Sequence, residues 1–188
     1  MYGLVNRALQ QLVCSRFDEQ VWRKVRMRAG VEDEVFIRMD SYPDEITHRL
    51  LESASVELNT PAVELLKEFG RYWMRYTAVE GYGALLNDLG ASFRQALDGL
   101  DGMHERVSLL YPALRPPRFR CESLESGGIR LHYWSERRGF ASMIIGLIEG
   151  LAERYNQVAD VVHDYQRDAG HDHDSFIIHL SEAQPDAG

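Results

Sequence analysis

Three prolines close together, Pro112, Pro116 and Pro117, forbid regular helix across the middle of this chain. A proline ring has no N–H to give and collides with the preceding turn, and it pushes the residue before it into extended backbone. The two sides of this break read differently. On the N-terminal side apolar residues recur at helical spacing, beginning with Leu4, Val5, Ala8, Leu9, Leu12 and Val13. A second helix is expected over 18–28, stopping at Gly30. Pro43, Asp44 and Glu45 look like the start of a third, with acidic groups at the positive end of its dipole, and it carries Ile46, Leu50, Leu51 and Ala54. Thr60-Pro61 opens a fourth, on which Val63, Leu66, Phe69, Gly70, Trp73 and Met74 share a face. After a short segment over 82–89, Ser92 opens the longest helix. It points Phe93, Ala96, Leu97, Leu100, Met103, Val107 and Leu110 inward, with His104 in the middle of that apolar face.

Past the prolines the period changes to two. Polar and apolar side chains alternate over 119–122 and 129–134, which predicts two strands joined through Glu125-Ser126-Gly127-Gly128. An apolar helix is expected over 140–155, then strands over 158–165 and 175–180 around the turn Asp168-Ala169-Gly170. Helices first, then an antiparallel sheet with an inserted helix, is an α+β arrangement. One domain is expected over 1–183, with 184–188 as a disordered tail.

The length suits one domain: 188 residues with 45% hydrophobic side chains can bury a sizeable core. Lys and Arg number 21 against 29 Asp and Glu, a net charge of −8, which argues against gripping nucleic acid through its phosphates. The longest apolar runs, such as 143–148, are too short to span a bilayer, and no basic segment followed by an apolar run opens the chain. Cys14 and Cys121 cannot build a disulfide framework and are read as buried thiols. A soluble, cytoplasmic protein that meets neither membrane nor nucleic acid is the expectation.

Three groups of residues stand out chemically. His104 on an apolar stripe is either a core histidine or a ligand; no second zinc ligand lies near it in sequence, but a neutral imidazole in an apolar site is what an iron porphyrin needs on one axial side. In Tyr133-Trp134-Ser135-Glu136-Arg137, strand alternation turns residues 133, 135 and 137 to one side, so a phenol, a hydroxyl and a guanidinium converge as a clamp for carboxylates. Haem with its two propionates would account for both features. The third group, His171-Asp172-His173-Asp174, lies in a turn of an acidic chain and reads as a solvated loop rather than a zinc site. His163 and His179 fall on strands within possible reach of each other. No phosphate-binding glycine loop, Cys-x-x-Cys, Gly-x-Ser-x-Gly or His-Glu-x-x-His is present.

Several stretches resemble one family from end to end: Met1-Tyr2-Gly3-Leu4-Val5-Asn6, Leu100-Asp101-Gly102-Met103-His104, Tyr111-Pro112-Ala113-Leu114-Arg115-Pro116-Pro117, Leu131-His132-Tyr133-Trp134-Ser135-Glu136-Arg137 and Gly146-Leu147-Ile148-Glu149-Gly150. The chain resembles an H-NOX (haem–nitric oxide/oxygen binding) domain, the haem module shared with the β subunit of soluble guanylate cyclase, in its stand-alone bacterial form.

The resemblance implies a four-stranded antiparallel sheet behind N-terminal helices, with haem b buried between the two subregions. It makes His104 the axial ligand of the iron, Tyr133, Ser135 and Arg137 the propionate clamp, Asp44 the acid that orients Arg137, and Pro117 a contact that presses the porphyrin out of plane. On the gas side it places Met143, with Trp73 and Leu4 as further walls. Methionine cannot donate a hydrogen bond, so the implied function is a sensor of NO, binding CO too and excluding oxygen. Such a sensor is not an enzyme, and the family's stand-alone members signal to a separate histidine kinase or cyclic-di-GMP enzyme. The alternatives are an oxygen-binding haem protein, a haem enzyme such as a peroxidase, or a haem-free interaction module in which His104 is structural.

Overall fold

The computed structural model describes residues 1–32, 35–77, 79, 83–111, 114–125 and 127–182. Pro112, Tyr82, Ser126, the tail 184–188 and the side chain of Leu110 lie outside the described part. Seven helices and a four-stranded sheet are described: α1 (Gly3–Arg16), α2 (Glu19–Ala29), α3 (Asp44–Glu57), α4 (Ala62–Thr77), α5 (Gly83–Asn87), α6 (Phe93–Leu110), β1 (Arg118–Ser123), β2 (Ile129–Trp134), α7 (Ala141–Arg154), β3 (Gln157–His163) and β4 (Asp174–Glu182). The helix boundaries follow local chemistry. The Asp18 carboxylate accepts from the Val21 N–H at 2.8 Å at the start of α2, and Gly30 closes it in the left-handed conformation with φ 60°. Ser92 accepts from the Gln95 N–H at 3.3 Å and opens α6. In α4 the buried stripe begins at Leu65 rather than Val63, which is exposed on the first turn.

All strand pairs are antiparallel, in the spatial order β1-β2-β4-β3. Register places Cys121 opposite Leu131 and Leu131 opposite Phe176 on the inner face. On the outer face Arg120 lies opposite His132, and His132 opposite Ser175. His163 and His179 do not meet: the register pairs His163 with Phe176 and His179 with Asp160, three positions apart along β3, and His163 Nε2 bonds Asp174 at 2.8 Å instead. Cys121 faces inward as expected, and burial pushes its thiol up to about 12, with the Asp98 carboxylate adding to the shift.

Two apolar cores form. One gathers Leu9, Leu12, Val25, Leu50 and Phe69 from the N-terminal helices with Phe36 from the connection between α2 and α3, and takes in Phe140 and Met143. The other joins Phe93 and Leu97 of α6 to Leu131, Phe176 and Ile178 of the sheet and Ile148 and Leu151 of α7. The cores are held together where α4 crosses α7. A Cβ on Gly70 would lie 2.2 Å from the Met143 carbonyl oxygen, and one on Gly146 only 1.8 Å from the Lys67 carbonyl oxygen. Backbone touches backbone there, which no residue with a side chain permits. Lys67 and Arg71 of α4 both bond Glu149 of α7, at 2.8 and 2.7 Å, and fasten the crossing from outside.

Gly146→Ala should therefore force the helices apart and destabilise the protein by about 1–3 kcal/mol or more. Gly150→Ala should cost less, because its Cβ would meet the flexible Met74 side chain at 3.1 Å. Urea denaturation of both variants beside the parent checks the ranking.

Candidate functional site

The space between the two cores is a cavity of about 310 Å³ whose wall is overwhelmingly apolar, a size and lining typical of small-molecule sites. Its wall draws on α1 through Leu4 and Val5, α4 through Trp73 and Met74, α6 through Leu100, Met103 and His104, and α7 through Ile144, Leu147 and Ile148. Pro116, Pro117 and Phe119 close it on the side of the chain break. The prolines that end the helical half of the molecule thus also build a rigid wall of this cavity.

His104 enters the cavity from the long helix. Its Nδ1 lies 2.8 Å from the Leu100 carbonyl oxygen, one turn earlier on α6. A carbonyl can only accept, so Nδ1 carries the hydrogen and Nε2 is left with a free lone pair. Burial pulls the imidazole below its ordinary range, outweighing the Leu100 hydrogen bond and the Asp101 charge, which act in the opposite sense. The ring is therefore neutral at pH 7 and packs against Phe119 at 5.2 Å between centroids. Asp101, also on α6, accepts the Phe119 N–H at 2.8 Å and ties this helix to β1.

A partly buried cluster of charge sits at the edge of the cavity. Arg137 reaches the wall, donates from Nη1 to the Arg115 carbonyl at 2.9 Å, and pairs through Nε with Asp44 at 3.2 Å. That pair rests on charge and proximity, since Nε is not aimed along a hydrogen-bond line. Asp44, the first residue of α3, also accepts from the Met1 ammonium. Burial opposes its charged form, but the ammonium and the guanidinium prevail and hold its carboxyl below the usual range.

Tyr133 and Ser135 stand behind the arginine. The Ser135 hydroxyl accepts the Arg137 N–H at 3.1 Å and shares a side-chain hydrogen bond with Tyr133. Tyr133 is buried between Phe119 and Phe176, and that burial raises its phenol and keeps it protonated as a donor. The three residues read from the sequence as one clamp are brought together, although Arg137 alone of the three lines the cavity.

His104, Pro117, Leu4, Trp73 and Arg137 all line the cavity. Met143 does not. It sits at the crossing of α4 and α7, where its carbonyl faces Gly70, and its side chain belongs to the N-terminal core. Neighbouring residues on a helix point about 100° apart, so Ile144 takes the wall position beside it, and Leu147, one turn on, extends the same surface. The sequence reading also missed the Arg115 carbonyl, because a backbone acceptor leaves no residue-type signal.

Comparison with known proteins agrees with this geometry. A model of the family described as Haem-NO-binding matches residues 2–163. The chain is 28% identical over 183 residues to soluble guanylate cyclase gcy-31 of Caenorhabditis elegans, covering 96% of this chain and 26% of that one. It is 30% identical over 158 residues to soluble guanylate cyclase gcy-33 of the same organism, covering 84% and 17%. The chain thus spans about a quarter or less of these relatives. Among solved structures, an H-NOX protein from S. oneidensis in the Fe(II)NO ligation state superposes with a TM-score of 0.86 at 24% identity, over 97% of this chain and 100% of that one. Unliganded Fe(II) H-NOX from K. algicida gives 0.83 at 21%, over 97% of each. With the family model spanning most of its length and the same fold, the chain belongs to the Haem-NO-binding, or H-NOX, family.

Proposed function

We propose that this chain is a haem-based gas sensor that binds NO and CO, excludes oxygen, and signals to a separate protein. The observation that carries the reading is the His104 tautomer: a neutral imidazole with its free Nε2 lone pair at the wall of an apolar cavity. The rest of the donor set fits haem b. An apolar cleft suits the porphyrin faces, and the Arg137 cation, backed by the Ser135 and Tyr133 donors, suits propionates. Haem would supply the iron at which a diatomic gas binds, and His104 would be its protein ligand.

Selection between gases follows from the walls. Leu4, Val5, Ile144 and Leu147 offer no hydrogen-bond donor to the cavity. NO and CO need none, whereas oxygen gathers negative charge and benefits from one. The apolar stretch formed by these four residues supports the gas-sensor reading over an oxygen carrier or a peroxidase, with the Trp73 indole N–H as a donor elsewhere on the wall. Signal output is assigned to α6, because that helix carries His104 and grips β1 through Asp101, so a shift of the helix pulls on the sheet. The family resemblance favours a histidine kinase or a cyclic-di-GMP enzyme as the partner, in the cytoplasm. No helix among the described residues is long and apolar enough to cross a membrane.

Replacing His104 by Gly is expected to weaken haem retention sharply, with added imidazole restoring it; the absorption spectrum of the purified variant reads both, and full haem content without imidazole overturns the assignment. Leu147→Tyr brings a hydroxyl to the gas side. A hydrogen bond to a charged group is worth about 1.5–3 kcal/mol, so oxygen affinity of the reduced protein should rise roughly tenfold to a hundredfold, with NO affinity little changed. Spectra of parent and variant under air test this, and a stable oxygen complex of the parent refutes the NO-sensor reading. Asp44 supports the clamp only while ionised. Because its folded-state value is depressed, its contribution is complete above the ordinary carboxylate range and is lost as pH falls through the depressed value. Asp44→Asn should lower the melting temperature at pH 7, and the gap to the parent should shrink below about pH 4.

A further inference from the structure

The turn that reads as a solvated loop in the sequence is docked on the outer face of the sheet. There His173 meets His132 of β2, with His132 Nδ1 and His173 Nε2 only 2.7 Å apart. Both rings are largely withdrawn from water, with side-chain exposures of 12% for His132 and 13% for His173. Trp134 fixes their planes: its ring stacks on His173 at 4.4 Å and on His132 at 5.7 Å. Each outer nitrogen faces a carboxylate. His132 Nε2 lies 3.3 Å from Glu122 Oε2, and His173 Nδ1 contacts Asp172 Oδ1.

Those carboxylates decide the tautomers. A carboxylate only accepts, so each outer nitrogen carries a hydrogen, and at 2.7 Å the two inner nitrogens share one more in a hydrogen bond from ring to ring. Displacing that shared hydrogen frees a lone pair on each inner nitrogen, and both then point at the same space. An imidazole whose far N–H is held by a carboxylate is also the arrangement that supports metal-bound histidine. We infer that His132 and His173 form a binding site for a borderline divalent transition-metal ion such as Zn²⁺, distinct from the cavity. At the Zn–N distance of about 2.0–2.1 Å and tetrahedral angles, the nitrogens stand roughly 3.3 Å apart, so the pair opens by about 0.6 Å from its 2.7 Å contact. His173 can supply that movement because it precedes β4 rather than lying within it. Among the described residues no group of three or more His, Cys, Asp or Glu is assembled for a metal. The remaining coordination positions are therefore taken by water, and the site is an open one.

The place matters as well as the chemistry. Asp174, next to His173, accepts the Arg167 N–H at 3.1 Å, and the Arg167 guanidinium bonds the Ser135 carbonyl. A metal at the histidine pair would clip this turn to β2 just before the strand delivers Tyr133, Ser135 and Arg137.

The test titrates the haem-loaded protein, in which His104 is engaged, with zinc chloride alone. It is followed by calorimetry and by ¹⁵N NMR of the imidazole rings. Expected are one equivalent of Zn²⁺ and perturbation of the His132 and His173 ring nitrogens. His132→Gln and His173→Gln should each abolish this uptake while retaining the fold by circular dichroism. Glu122→Ala should weaken it about tenfold or more, the usual effect of removing a carboxylate behind a metal-bound histidine, and His171→Gln should leave it unchanged. Absence of uptake by the parent, or uptake that survives both glutamine variants, overturns the proposal. The proposal of a haem-based sensor is unaffected by either outcome.

Discussion

The backbone contact between α4 and α7 is the constraint on which the rest of this structure depends. Gly70 and Gly146 let the two helices touch where any Cβ would collide with a carbonyl oxygen. That contact joins a core made of N-terminal helices to a core built on the sheet, and the cavity occupies the space between them. It also decides what α7 shows to each side. With Met143 spent at the crossing, Ile144 and Leu147 become the wall, and the polarity of this part of the cavity follows from a packing requirement rather than from a separate choice of residues.

Inside the cavity, chemistry is confined to two places by the cost of burying polar groups. Unpaired charge in an apolar space is expensive, so the imidazole stays neutral and spends its one N–H on Leu100. Charge appears at the rim, where Arg137 is balanced by Asp44 and supported by the Arg115 carbonyl. The result is an amphipathic site: a neutral imidazole facing an apolar cleft, and a cation at its edge. A lone pair on one helix and a guanidinium beyond a strand are coupled through the sheet, because Asp101 holds Phe119 and Phe119 packs on both His104 and Tyr133.

Much of this was legible without coordinates. Helix starts at Asp18 and Ser92 and the stop at Gly30 are local events, governed by side chains within three or four residues, and they appear where the sequence puts them. Period-two alternation identified the strands for the same reason: the pleat is a property of each strand alone. The grouping of Tyr133, Ser135 and Arg137 was visible because its members lie within five residues. Val63 shows the limit, since helical spacing says which residues share a face but not where along the helix the neighbour ends.

The sequence by itself determined the α+β order of elements, the apolar face that carries His104, and the proline break that separates helix from sheet. These depend on backbone sterics and short-range periodicity. Only the tertiary structure decided that Ile144 rather than Met143 faces the cavity, because one step round a helix is settled by what packs against it. Strand register likewise separated His163 from His179 and placed His132 on the outer face, where the β3–β4 turn brings His173 to it. Pairing between strands that are remote in sequence is set by the whole core, and no local spacing encodes it.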